Sequence, residues 1–217
     1  MRAVLLALLF VGLASAQTSY PMITHVTPVA VQRGKSSTVI VAGQQNFAGT
    51  YKVLVEGQGV TAEVVEAKTK GKGKAAAPQR QVTLKVTVAP DTLPGIREFR
   101  VASSLGVSSI GQLLITEHPV VEEKGINNTR DKATVVPVPS MICGRIELAE
   151  DVDYYRFSAR AGQTFTFEVI CARIQDKIHD LQKHADPIVT LYDATGRELA
   201  ANDDFYFADP LLSYTFP

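Results

Sequence analysis

Eight consecutive residues, Gln81-Val82-Thr83-Leu84-Lys85-Val86-Thr87-Val88, put an apolar side chain at every even position and a polar one at every odd position. A period of two is that of a β-strand with one face buried and one in water; an amphipathic helix would repeat its apolar residues every three to four. The alternation recurs at Val39 and Val41, at Tyr51, Val53 and Val55, and at Phe99 and Val101. Turn-forming sequences separate these runs: Arg33-Gly34-Lys35, Gly57-Gln58-Gly59 and Leu93-Pro94-Gly95. Short strands so spaced predict two packed sheets rather than strand–helix–strand units. With 217 residues, 46% apolar and 20% charged, the chain is long enough for two small domains, each with a core.

Charge divides the chain. Residues 17–118 hold 11 basic and 6 acidic residues, and residues 119–217 hold 10 and 16. The stretch 119–139 carries mixed charges, Asn127-Asn128 and several prolines, and reads as a linker leading into a second domain at 140–217. The overall formal charge is zero, which argues against a nucleic-acid partner. One segment, from Lys68 to Arg80, has five basic residues and no acid. It has no interleaved aromatic on which a base could stack, and reads as a solvated loop.

The amino terminus gives an address. Arg2 precedes an apolar run from Ala3 to Leu13, closed by Ala14-Ser15-Ala16 before Gln17. A positive start, a short apolar middle and small residues at the end define a secretory signal peptide over residues 1–16. The run falls short of the roughly 20 residues that span a bilayer, so no stable membrane span is expected. The mature chain, from Gln17, is expected to be secreted, periplasmic or at the cell surface.

Certain residues of the first half carry a resemblance. Pro21 to Pro28, Arg33-Gly34, Val39 to Gly43, Asn46-Phe47 and Leu93-Pro94-Gly95 before Phe99-Arg100-Val101 resemble an IPT/TIG-type immunoglobulin-like domain over about residues 21–116. The resemblance implies an Ig-like β-sandwich within 17–118, and no particular activity.

Strand patterns return in the second half, at Ile142/Gly144/Ile146/Leu148, Tyr155/Phe157, Phe165/Phe167/Val169 and Ile188 to Tyr192. Between Arg173 and Ala185 the spacing of Ile174, Ile178 and Leu181 predicts a short helix or long loop. Asp151-Val152-Asp153-Tyr154-Tyr155-Arg156-Phe157, Ala161-Gly162-Gln163, Asp186-Pro187, Leu191-Tyr192-Asp193, Gly196 to Leu199 and Asn202-Asp203-Asp204 resemble a bacterial pre-peptidase carboxy-terminal domain over about residues 127–217. That resemblance implies a jelly-roll-like sandwich attached to exported proteins. It also implies a further glycine turn and a Tyr-containing strand after Pro217, so the chain is expected to be truncated, either as a fragment or as the front of a longer protein with neighbouring domains. The fold class expected is therefore all-β, with two β-sandwich domains.

The acidic residues of the second half concentrate at strand ends and turns. Calcium takes six to eight oxygens at about 2.3–2.6 Å, and carboxylates from separate loops can supply them; some relatives of this fold bind calcium. Asp153, Asp186, Asp203 and Asp204 are the candidate calcium ligands. Asp and Asn also populate turns because their side chains bond nearby amides, and Asp193 before Gly196 reads that way.

No catalytic residue is nominated. His179 and His184 are five apart, about 140° around a helix, and cannot face one metal together. Gly106-Val107-Ser108-Ser109-Ile110-Gly111 lacks the spacing of a nucleophile elbow. Cys143 and Cys171 admit both a disulfide, which export favours, and two free thiols, since their strand parities differ. The expected function is a non-catalytic exported protein for adhesion, ligand binding or an accessory role, with an extracellular protein or polysaccharide as partner. Two alternatives stand beside it. One is the amino-terminal portion of a larger exported hydrolase or peptidase. The other is a carbohydrate-binding module using Tyr154, Tyr192, Phe205 and Tyr206 as stacking faces.

Overall fold

A computed structural model describes residues 20–44, 47–65, 79–146, 150–174 and 185–217. The expected signal peptide, almost all of the Lys68–Arg80 loop and the 175–184 crossing, with both of its histidines, lie outside these residues. Helical structure among the described residues is confined to two three-residue 3-10 turns. The protein is all-β.

The first half is a two-sheet sandwich. Its strands are β1 (Met22–Thr27), β2 (Ala30–Gln32), β3 (Ser36–Gln44), β4 (Lys52–Val55), β5 (Val60–Val64), β6 (Gln81–Val88), β7 (Gly95–Ser103), β8 (Gly106–Val107) and β9 (Gly111–Thr116). One sheet runs β1-β3-β6-β5 and the other β2-β9-β7-β4, with β8 paired to β7. The period-two segment behaves as its pattern requires: Val82, Leu84, Val86 and Val88 of β6 are all buried. They meet Val39 and Val41 of the same sheet and Phe99, Val101 and Leu113 of the facing one. Tyr51 departs from expectation. It lies just before β4 and is exposed, so only Val53 and Val55 of that trio turn inward.

Two glycines let paired strands approach closely, and two buried serines satisfy strand N–H groups. A Cβ on Gly43 would collide with the Met22 carbonyl of the paired β1 strand, and one on Gly111 would come within 2.6 Å of the Phe99 ring. Ser108 and Ser109 are buried and structural. The Ser109 hydroxyl accepts the Ile23 N–H at 2.8 Å. The Ser108 hydroxyl accepts the Val101 N–H at 3.0 Å and donates to the Ser109 carbonyl at 2.7 Å.

The described residues of the second half form four two-stranded ladders: β10 (Val120–Glu122), β11 (Thr134–Val135), β12 (Met141–Cys143), β13 (Tyr155–Arg156), β14 (Thr164–Glu168), β15 (Val189–Tyr192), β16 (Glu198–Asn202) and β17 (Leu211–Thr215). β10 pairs with β12 and β11 with β13, both parallel; β14 pairs with β17 and β15 with β16, both antiparallel. The expected linker is thus structured: 120–122 and 134–135 are strands of the second half. Phe157, Phe165, Phe167 and Phe216 form its aromatic cluster, with ring centroids 5.3–6.5 Å apart. Among the described residues of this half, the buried apolar core positions are Val136, Leu191 and Leu212.

The cysteines do not form a disulfide. Cys143 packs against the backbone of Val29 and Ala30 in the first half, where burial pushes its thiol up. Cys171 sits at the 3-10 turn Ala172–Ile174, where its N–H meets Asp209.

Candidate functional site

The β16–β17 connection carries Asp203-Asp204-Phe205-Tyr206-Phe207-Ala208-Asp209. Its base is fixed twice. Asn202 accepts the Leu211 N–H at 3.0 Å, which draws the two ends of the connection together. Asp209, with 0% exposure, then clasps the neighbouring 3-10 turn. Its carboxylate accepts the N–H groups of Cys171 at 2.9 Å, Ala172 at 2.6 Å and Arg173 at 3.2 Å, and the Arg173 Nε–H at 2.7 Å. Burial pushes the Asp209 carboxyl up, but the Arg173 guanidinium and these amides outweigh it and hold the group below its ordinary value. Arg173 is itself held inward, by Glu168 at 2.8 Å and the Val169 carbonyl at 2.8 Å.

Above that base stands a tight turn. Tyr206 and Asp209 bridge as an antiparallel pair, with Phe207 and Ala208 between them. Phe207 takes φ +57°, the left-handed region that a two-residue hairpin turn needs and that glycine or asparagine normally supplies. A bulky aromatic there costs about 1–2 kcal/mol of backbone strain. Phe207 is 95% exposed, and Phe205 and Tyr206 are exposed beside it. The Phe205 and Tyr206 rings lie edge to face at 4.7 Å, and the Arg173 guanidinium lies 4.7 Å from the Tyr206 ring centre. The result is an aromatic tip on a base held by side chains with little freedom.

Sequence reasoning named Phe205 and Tyr206 but passed over Phe207. The signal was present, as three consecutive aromatics in a segment otherwise rich in turn formers. The other two named aromatics lie elsewhere. Tyr192 is at the turn end of the β15–β16 hairpin, whose register pairs Val189 with Asn202 and so places Tyr192 at the opposite end from the loop. Tyr154 is half-buried, its N–H bonded to the Asn127 carbonyl at 2.9 Å and its own carbonyl to Thr134 at 2.9 Å.

The four candidate calcium ligands are distributed. Asp186 and Asp203 flank the same open end of the β15–β16 hairpin, with Asp204 adjacent. Asp153 belongs to another cluster. There the buried Asn127 amide, oriented to satisfy its neighbours, donates to Glu123 Oε1 at 2.8 Å and Asp153 Oδ1 at 2.9 Å. Glu123 Oε2 accepts the Arg145 N–H at 3.0 Å. Burial, with Glu123 and Asp153 beside it, pushes the Tyr155 phenol up. Gly144 leaves room for this approach, since a Cβ there would meet the Tyr155 hydroxyl at 2.8 Å. Among the described residues, no group of three or more His, Cys, Asp or Glu side chains gathers at one point.

Asp193 is the turn residue its context predicts. Its Oδ1 accepts the N–H groups of Thr195 at 2.9 Å and Arg197 at 3.0 Å and the Thr195 hydroxyl at 2.6 Å. The Thr195 hydroxyl, followed by the Arg197 amide, lowers its carboxyl to about 2.

No family model matches the chain, and no curated protein does. Among solved structures it is similar to the Bacteroides ovatus mixed-linkage glucan utilization locus protein SGBP-B in complex with a mixed-linkage heptasaccharide. Identity is 12% over 91% of this chain and 37% of that one, at a TM-score of 0.33. The chain spans little more than a third of that protein's length. No helix among the described residues is long and apolar enough to cross a membrane.

Proposed function

We propose that this is an exported, non-catalytic β-sandwich protein that binds carbohydrate through the aromatic loop of its second half. The observation that carries the proposal is the Phe207 ring, almost wholly in water at a strained backbone position, beside two further exposed aromatics on a clasped base. An exposed phenylalanine in a left-handed conformation does nothing for the fold; strain persists where the surroundings over-determine it, most often at sites that contact a ligand. Aromatic faces with neighbouring hydrogen-bond acceptors suit sugars, which present C–H faces and hydroxyls. Holding the platform rigid before binding reduces the ordering cost. Export rests on the Arg2-to-Ala16 pattern. The IPT/TIG-like and pre-peptidase-like assignments rest on the motifs quoted above.

Calcium belongs to the proposal as a stabiliser. Two carboxylates, Glu123 and Asp153, face each other across one buried amide, and an ion there would take the Asn127 oxygen instead of its N–H groups.

Affinity electrophoresis and calorimetry against a panel of soluble polysaccharides test the binding reading. Phe207→Asn removes the ring while keeping a residue that tolerates positive φ. We expect that variant to stay folded and lose about fivefold or more in affinity, the size of one aromatic contact of about 1 kcal/mol. Binding unaffected by Phe207→Asn and Tyr206→Ala would place the ligand elsewhere.

A further inference from the structure

We infer that the aromatic loop selects glycans by charge, accepting neutral or amino-bearing chains and rejecting uronate-rich or sulfated ones. The inference rests on the carbohydrate reading above and concerns the chemistry of the ligand at that same loop. Asp203 and Asp204 immediately precede the aromatics and are exposed. Glu168 and Asp209 hold the guanidinium of Arg173, which lies beside the Tyr206 ring. Glu168, Asp209 and Arg173 together sum to −1, and Asp203 and Asp204 add two uncompensated negative charges beside the aromatics.

Arg173 does not reverse that sign for a ligand. Its Nε, Nη1 and Nη2 each donate within the protein, to Asp209, Glu168 and the Val169 carbonyl, and its Cζ lies 4.7 Å from the Tyr206 ring centre. An acidic sugar would meet a guanidinium already neutralised twice. Asp203 and Asp204, by contrast, take part in none of the ion pairs among the described residues, and their carboxylates are available to accept hydroxyl or ammonium hydrogens.

The size of the effect follows from Coulomb's law. A ligand carboxylate held about 7 Å from one protein carboxylate in water loses roughly threefold in affinity. Against the face as a whole the loss reaches about tenfold, and it shrinks as salt shortens the Debye length.

The test uses the full chain in chelator-containing buffer, so that no divalent ion bridges the carboxylates. Calorimetry compares hexasaccharides of matched length: neutral gluco-, xylo- and manno-oligosaccharides, fully deacetylated chitohexaose, and hexagalacturonate. Phosphatidylcholine vesicles are included because exposed aromatics also enter membranes. We expect a neutral or amino hexamer to bind, with hexagalacturonate at least about tenfold weaker. In Asp203→Asn/Asp204→Asn that ratio should narrow severalfold, and at 0.5 M salt in the wild type it should narrow as well. Hexagalacturonate binding as tightly as a neutral hexamer, and losing that binding in Phe207→Asn, would overturn charge selection while leaving the carbohydrate reading intact. A ratio unmoved by the double substitution would also overturn it. No hexamer bound, or vesicles alone bound through Phe207, would remove the carbohydrate reading and this inference together.

Discussion

Replacing Asp209 by asparagine keeps the shape of the side chain and removes its charge, so it isolates what the clasp contributes. The aspartate accepts four hydrogen bonds, and its two oxygens divide them between Cys171 and Ala172 on one side and Arg173 on the other. Asparagine has one acceptor oxygen and one NH2 group. Either orientation of the amide turns its NH2 towards two N–H donors. The variant therefore loses two accepted bonds and leaves donors facing a donor. Hydrogen bonds to a charged group are worth about 1.5–3 kcal/mol each, and a buried donor left without its acceptor costs a similar amount. Losing one charge-assisted bond and one backbone bond, with Glu168 still holding Arg173, gives a loss of about 3 kcal/mol. Urea denaturation of the full chain measures it. With slopes of about 1–3 kcal/mol/M for proteins of this class, the midpoint falls by about 1–3 M. Tyrosine fluorescence reports on the relevant half, since there is no tryptophan and five of the seven tyrosines lie beyond residue 150. The sign of the pH dependence is fixed as well. Asp209 has its carboxyl lowered from 3.8 in the folded protein, so its stabilisation is complete above the unfolded value and is lost as pH falls through the folded one. The gap between wild type and Asp209→Asn should be constant above about pH 5 and narrow below about pH 4. A stability within about 0.5 kcal/mol of wild type at pH 7 would refute the clasp.

Three further outcomes follow. Phe99→Ala should destabilise the first half by about 3–5 kcal/mol, because Phe99 is fully buried between the sheets and its removal leaves a cavity; differential scanning calorimetry reads the loss. Asp193→Asn should remove an acid-sensitive contribution to the β15–β16 turn. Since its carboxyl is lowered to about 2, that contribution is present above about pH 4 and fades as pH falls towards 2, so wild-type and variant melting curves should converge there. Calcium at about 5 mM should raise the thermal midpoint by the equivalent of about 1–2 kcal/mol, given the about 0.1–1 mM affinities of extracellular sites. Chelator should reverse the gain, Asp153→Asn should abolish it, and Asp203→Asn/Asp204→Asn should keep it; a wild-type midpoint indifferent to calcium would remove the ion from the proposal.

The first half was legible where a strand buries one face and exposes the other, as β3 and β6 do. Val82, Leu84, Val86 and Val88 announce β6 by alternation alone, and the structure buries all four. Tyr51 misled because parity at a strand's end does not ensure that the strand extends so far. The second half was harder. Its ladders are two to five residues long, so alternation marks β14 at Phe165 and Phe167 but cannot mark β10 and β11, which lie in a segment whose polar composition resembles a linker. The site was partly legible, as a run of acids followed by aromatics. Sequence could not separate the acids by role. Asp209 is buried under four donors while Asp203 and Asp204 stand in water, and only the distant residues Cys171 to Arg173 make that difference. Nor could spacing show that Asp153 keeps company with Glu123 and Asn127, which requires the return of β13 alongside β11.

In the first sandwich, one short stretch of chain, Met22 to Gln32, lends β1 to the first sheet and β2 to the second. A tensile load at the amino end thus meets two ladders in series, running in opposite senses relative to their partners. β1 lies antiparallel to β3 and β2 parallel to β9, so the layers cannot be peeled apart from that end without first breaking both seams.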